Sequence, residues 1–490
     1  MQLGEILIAR GLVSAANMHA VSERQRRAGG RLADILVDMQ LLTHTEFTSV
    51  MSSIESVTPP MPRDLASSEV SAGLVMNLML RMMHLEVRET VSDLAGAMCL
   101  PYKIVRKLMD EAGQRKLIQA LGTQGAGAMA DIRYTLSEAG LVAARDAAAQ
   151  CSYLGPAPVS LKAFTEQVKK QSITNEKLTA DRLREGLSDL VAPEHYVRKL
   201  LPAINAGRCI LLFGPPGNGK TTFASRIAEL FEDVVYIPYA VEIDGQIMRV
   251  YDAGLHHAAV AAADRAKLGS ASISSPDFDD RWVACRRPFA MVGGELTLDM
   301  LELQIDAQSN TYDAPLHVKA LNGVFLIDDF GRQQMNPKDL LNRWIVPMEN
   351  RIDFLKLKSG KTFTIPFDDL LIFSTNIEPQ DIMDPALLRR IPYKIKLFAP
   401  TTAEYVDLFQ REAQSYGLIV QKDVLDFIVR VLNGPAKFGL AYFQPRFICE
   451  QVIQTCSAFG LEYRLTKELA VEALSNLYVQ IEAERDNDVG

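Results

Sequence analysis

Gly214-Pro215-Pro216-Gly217-Asn218-Gly219-Lys220-Thr221 is the stretch that decides how this chain is read. It fits the pattern G-x-x-x-x-G-K-[ST]. The apolar residues 209–213 before it read as a buried strand, and residues 221–231 after it read as a helix. Glycine lets main-chain N–H groups turn inward and approach phosphate oxygens without a Cβ in the way. The helix adds the positive end of its dipole. Lys220 is placed to reach the β- and γ-phosphates of a nucleotide, and the Thr221 hydroxyl to hold Mg²⁺.

Two further segments extend the pattern. Val324-Phe325-Leu326-Ile327-Asp328-Asp329 is an apolar strand that delivers two acids to its C-terminal edge. Asp328 suits a Mg²⁺ shell, and Asp329 suits orienting or activating an attacking water. Leu370-Leu371-Ile372-Phe373-Ser374-Thr375-Asn376 is a strand with a polar tip, consistent with a hydrogen bond from Asn376 to water or γ-phosphate. Residues 234–237 read as one more strand. Strands alternating with helices around a phosphate loop predict a parallel α/β sheet. From residue 401 onward the pattern is helical.

Residues 185–485 resemble an AAA+ ATPase. Gly214 through Thr222 matches the Walker A motif, residues 324–329 the Walker B motif, and Asn376 the first sensor position. Many ATPases of this kind carry Glu where Asp329 stands, and the shorter side chain would slow hydrolysis. Asp384-Pro385-Ala386-Leu387-Leu388-Arg389-Arg390-Ile391 resembles the arginine-finger segment, with Arg390 the better match by spacing and Arg389 the alternative. Gln444-Pro445-Arg446-Phe447 resembles the second sensor, which makes Arg446 the lid arginine. The resemblance implies ATP and Mg²⁺ as cofactors, an α/β core at 185–400, an α-helical lid at 401–490, and a ring, usually a hexamer. In such a ring the finger reaches the neighbouring subunit's ATP. Read without the resemblance, Arg389 and Arg390 are surface arginines. The long insertion at 241–320 and a hairpin at 354–365 look similar to the helix-2-insert group, which includes MoxR-like chaperones and enhancer-binding activators. Within it, Gly293-Gly294 is either a substrate-facing loop or a surface turn.

The N-terminal region carries an internal repeat. Residues 2–13 return as residues 31–42, and each copy ends in a possible helix cap, Ser14 or Thr43. Residues 1–56 resemble the MshE-type N-terminal domain of type II secretion and type IV pilus ATPases. Copies that keep the family pattern bind cyclic di-GMP, and Gly4, Gly11, Gln25 and Arg31 fit it. Gln2, Ala33, Gln40 and Ile54 depart from it, and each departure removes a contact or crowds the ligand. A purely docking helical module is the competing reading.

A proline-rich linker is expected at 57–68. Residues 69–150 then give three helices, a Gly-rich hairpin and a last helix, the order of a winged-helix module. Its candidate recognition helix holds Lys103, Arg106, Lys107, Arg115 and Lys116, but also Asp110 and Glu111. A protein-facing role competes with DNA binding, and the mixed charge makes DNA the lesser reading. A second linker is expected at 151–184.

Bulk properties set limits. At 490 residues the chain exceeds one core. The net charge of -8 argues against a chain built mainly to coat nucleic acid. Six scattered cysteines without a C-x-x-C pair suggest reduced thiols and a cytoplasmic setting. No secretory leader and no membrane span are expected. The sequence thus predicts a multidomain α/β plus α protein that hydrolyses ATP and works on a protein client.

Overall fold

The computed structural model describes residues 7, 12–28, 32–43, 57–124, 131–188, 190, 193–259, 278–434 and 438–478. In the N-terminal repeat, α1 (Ala15–Ala28) begins where the Ser14 hydroxyl accepts from the Asn17 N–H at 3.2 Å, and α2 (Leu32–Asp38) follows. The next unit runs α3 (Ala72–Leu85), α4 (Val91–Met98), α5 (Tyr102–Gln114), the antiparallel pair β1 (Ile118–Gln124) and β2 (Asp131–Leu136), then α6 (Glu138–Gln150). Thr90 caps α4 through the Asp93 N–H, and Ser137 caps α6 through the Gly140 N–H. Apolar residues at helical spacing, such as Leu78, Met79, Leu94, Met98, Val105 and Leu108, fill its core.

Both stretches expected to be linkers are packed in place. Between Gln150 and α9 (Glu194–Asn205) lie a short strand, β3 (Val159–Ser160), and helices α7 (Leu161–Lys170) and α8 (Ala180–Gly186). Phe164 and Val168 of α7 are buried, as is Leu183 of α8. The prolines of 155–158 stiffen a strap: the Ala157 N–H donates to Met98 O, and Pro158 O accepts from Arg281. Upstream, Val57 O accepts from Gln167, and Pro60 bridges to Phe278. Proline removes a donor and fixes φ, which suits a static strap as well as a spacer.

The central sheet is parallel. β4 (Ile210–Phe213) leads to α10 (Lys220–Glu229). Here the structure departs from the sequence reading. β5 (Val234–Pro238) does not join this sheet. It pairs antiparallel with β8 (Trp282–Arg286) across the insertion. Between them, β6 (Ala240–Ile243) and β7 (Gln246–Arg249) enter a second sheet. The edge of the central sheet is instead β9 (Phe289–Val292). Strands β10 (Gln304–Asp306) and β11 (Thr311–Asp313) complete the second sheet, in the order β10-β11-β7-β6-β3.

β12 (Val324–Ile327), α11 (Pro337–Asn350), the antiparallel hairpin β13 (Ile352–Lys356) and β14 (Thr362–Pro366), β15 (Leu370–Thr375), α12 (Pro385–Arg390) and β16 (Tyr393–Lys396) follow. The central order is β16-β4-β15-β12-β9, every neighbour parallel. Ile210, Leu211, Leu212, Phe325, Leu326, Ile327 and Ile372 are fully buried. Each such side chain contributes about 1.5–3 kcal/mol of burial. Among the described residues four helices follow: α13 (Thr402–Ser415), which opens with a Thr401–Glu404 capping box, α14 (Lys422–Leu432), α15 (Gln444–Phe459) and α16 (Lys467–Leu477). They share a separate core around Tyr405, Phe409, Ile428 and Val452. Among the described residues no helix is long and apolar enough to cross a membrane.

Candidate functional site

The loop between β4 and α10 has the backbone that phosphate binding needs. Gly214, Gly217 and Gly219 all have positive φ, at 143°, 75° and 73°. A Cβ on Gly214 would lie 2.2 Å from Leu397 O, and one on Gly217 would lie 2.4 Å from the Phe443 ring. The close approach therefore requires glycine at both places. Lys220 is 7% exposed, and its Nζ donates to Gly214 O at 3.0 Å and Pro215 O at 2.8 Å. Burial pulls its pKa below the ordinary lysine value, and the charges of Asp328 and Asp329 oppose that pull.

The parallel register brings the acids to the loop. β12 ends at Ile327, so Asp328 and Asp329 emerge at the C-terminal edge of the sheet. The Thr221 hydroxyl donates to Asp328 Oδ2 at 2.6 Å. Asp329 holds φ at 47°, in the left-handed region that Asp enters more readily than most side chains. Two cross-strand bonds hold it there: the Phe330 N–H donates to Ser374 O, and the Thr375 hydroxyl donates to Phe330 O. Asn376, at the tip of β15, donates from Nδ2 to Asp329 Oδ1 at 3.0 Å.

These groups line one cavity of about 510 Å³. Its walls include Pro216, Gly217, Asn218, Gly219, Lys220, Thr221 and Thr222 from the loop, together with Asp328, Asp329 and Asn376. Gly214 and Pro215 do not line it; their carbonyls accept from Lys220. The lid supplies Leu408, Glu412, Tyr442, Phe443 and Arg446. Phe443 donates its N–H to Gly217 O at 3.3 Å, so the lid touches the loop's main chain. Tyr442, Phe443 and Glu412 were not singled out in the sequence. The available signal was their nearness to the Gln444–Arg446 segment and to α13. Arg446 lies at the rim, its Nε donating to Glu450 at 2.8 Å.

The residues present fit a nucleoside triphosphate with Mg²⁺. Asn218 is 2% exposed, and neither its Oδ1 nor its Nδ2 has a hydrogen-bond partner, although it lines the cavity. Buried polar atoms normally find partners, so an unpaired pair in a cavity wall suits a polar ligand. Thr221 and Asp328 offer the oxygen-only donor set that Mg²⁺ prefers.

Other sequence candidates lie elsewhere. Arg389 and Arg390 line a different cleft with Arg208, Cys209, Glu349 and Tyr393, at the N-terminal ends of β4 and β16. Arg390 donates to Glu349 Oε1 at 2.9 Å and to Ala386 O. Gly293 and Gly294 follow the edge strand β9, and Gly294 O accepts from the Gln334 N–H, close after the acids. Of the repeat residues, Gln25 lies on α1, while Gly4, Gly11 and Arg31 fall outside the described residues. Among the described residues no cluster of three His, Cys, Asp or Glu is arranged to hold a metal.

A phosphate loop after β4, acids at the end of β12, a polar tip on β15, the middle strand between them, and a helical lid over the loop define an AAA+ P-loop fold. Comparison with known proteins adds three findings. Residues 401–476, most of the lid, match a family described as a domain of unknown function (DUF8689). No curated protein matches the chain. Among solved structures, the Thermotoga maritima RuvB Holliday junction branch migration motor is similar at 16% identity over 61% of this chain and 75% of that one, with a TM-score of 0.33. NtrX from Brucella abortus is similar at 13% identity over 63% and 58%, with a TM-score of 0.35. The fold assignment rests on strand order and loop geometry, not on these likenesses.

Proposed function

We propose that the chain binds ATP with Mg²⁺, hydrolyses it, and uses the cycle to remodel or regulate a protein partner. The observation that carries this reading is the convergence of Lys220, Thr221, Asp328, Asp329 and Asn376 on one cavity closed by the lid. The inward-facing loop amides and Lys220 hold the phosphates. Thr221 and Asp328 hold Mg²⁺, which supplies charge neutralisation at the phosphate oxygens. Asp329, fixed by Asn376, orients the attacking water. Arg446 senses the nucleotide from the lid.

Arg390, or Arg389, acts on the ATP of a neighbouring subunit in a ring, read as a hexamer. Their position in a cleft away from the chain's own cavity supports a role in trans. A protein partner is favoured over DNA because two of the five cations in and just after α5 are answered by acids one turn away: Arg106 pairs with Asp110 and Arg115 with Glu111. Gating of this cytoplasmic machine by cyclic di-GMP, in a pilus, secretion or motility setting, rests on the tandem repeat alone.

The test is ATP turnover by the full chain and by Asp329→Asn. Hydrolysis is expected to fall by about 100-fold or more, with ATP affinity changed only a few-fold. Equal turnover in the two proteins refutes the role of Asp329. Very slow turnover in the parent, with intact binding, points instead to a nucleotide-gated scaffold.

A further inference from the structure

A second cavity, of about 610 Å³, lies where three parts of the molecule meet. Ser71, Asn77, Arg81 and Gln150 come from the helical unit of α3–α6. Gly245, Gln246, Ile305 and Asn310 come from the second sheet and its turns. Lys358 and Ser359 come from the turn of the β13–β14 hairpin.

Arg81 is the unusual member. It sits on the buried face of α3 and is 3% exposed. Its Nη1 donates to Ala147 O at 3.3 Å, but Nε and Nη2 have no hydrogen-bond partner. No carboxylate forms an ion pair with it among the described residues. Burial lowers its pKa, yet a guanidinium stays protonated at neutral pH. The fold therefore keeps a buried positive charge with two unpartnered donor groups on a residue that lines the cavity. Leaving buried charged donors unmade is expensive, and the common remedy is a counter-charge. The protein does not supply one. No Asp or Glu lines the cavity, while Lys358 adds a second cation. Glu242, close by, accepts from the Ser71 N–H and is not part of the wall. The hydroxyls of Ser71 and Ser359 and the amide of Asn77 add neutral donors, while the Asn310 amide already donates to Gln150 O.

We propose that this cavity binds a small phosphate-bearing anion, up to roughly mononucleotide size, through the free edge of Arg81 and the ammonium of Lys358. A guanidinium edge matches two phosphate oxygens at once, which a lone ammonium cannot do. The anion ties the helical unit to the β13–β14 hairpin. That hairpin sits directly between α11 and β15, the strand that delivers Asn376. Occupancy thus fixes the N-terminal unit against a part of the ATPase core that is continuous with its sensor strand.

The test is calorimetry of pyrophosphate binding to the full chain carrying Lys220→Ala, which disables the phosphate loop. One pyrophosphate per chain is expected to bind. Adding Arg81→Met is expected to weaken it by about tenfold or more. Lys358→Glu, an exposed position whose substitution leaves the core intact, is expected to weaken it likewise. Absence of binding, or binding that neither substitution weakens, overturns the proposal, because the latter belongs to the phosphate loop. Citrate run in parallel decides the chemistry: Arg81-dependent binding of citrate without pyrophosphate overturns the phosphate assignment.

Discussion

The two five-stranded sheets of this protein are built by different rules. The central sheet is all parallel, and β4, β12 and β15 are buried nearly throughout. The second sheet is mixed. Its strands are two to four residues long, are drawn from as far apart as Val159 and Asp313, and in β10 face mostly outward. Its cohesion is polar as well as apolar: Arg249 binds Asp313 Oδ1 at 3.0 Å and Asp306 at 3.3 Å. The first sheet carries the chemistry at its C-terminal edge. The second carries the helical unit, whose core includes Ala240 and Ile247. A parallel sheet whose inner strands are buried on both faces makes a rigid platform for catalytic side chains, while a mixed sheet of short strands, exposed at its β10 edge, serves as a mount.

The sharpest way to break that division is through activity. Lys220→Ala is expected to remove ATP turnover by about 1000-fold or more, since it deletes the charge that meets the phosphates. Arg249→Ala in the second sheet is expected to leave turnover within about twofold while loosening the mount by about 1 kcal/mol. Turnover assays on both proteins check this, and equal loss in both would erase the distinction.

Next in size is packing. Phe325→Ala in β12 is expected to destabilise the ATPase core by about 3–5 kcal/mol and to lose nucleotide binding with it. Ile247→Ala in β7 is expected to cost about 2–4 kcal/mol, felt as release of the helical unit. Limited proteolysis with a bound nucleotide analogue reads the difference: cleavage near residues 151–158 should rise in the second variant alone.

The smallest effect concerns Asp369, at the entry of β15. Its carboxyl is 3% exposed, both oxygens lack partners, and burial pushes its pKa well above the usual carboxylate range. The folded state therefore holds a proton that the unfolded chain releases, so this residue costs more stability as pH rises above the ordinary carboxylate value. Asp369→Asn is expected to raise the melting temperature by about 2 °C near neutral pH, with the gain shrinking toward about pH 4. A pH-independent shift would sink that account.

The same contrast explains what the sequence disclosed. Strands β4, β12 and β15 were legible because a strand covered on both faces reads as an unbroken apolar run. Asp328, Asp329 and Asn376 were legible because they follow such runs, and Lys220 because of the glycine spacing between one such run and the next helix. The edge strand was misread. Val234–Pro238 is wholly buried and looked like a core strand, but its cover is the insertion, including Trp282 and Phe278. Phe289–Val292, the true edge, exposes Met291 and so breaks the run of buried residues. The second sheet left almost no trace, since strands of two to four residues are too short for a period to show. Phe443 was missed for another reason: its contact with Gly217 depends on how the lid lies over the core, which no local pattern encodes.

That contact has a mechanical consequence. The Phe443 ring fills the space above an α-carbon, and its amide is anchored to the carbonyl of the same glycine. The lid helix that begins at Gln444 therefore grips the loop by its spine and not by a replaceable side chain. Any swing of that helix exerts a torque on the backbone of the cradle itself, and any change in the cradle's shape is transmitted outward along sixteen residues of rigid rod.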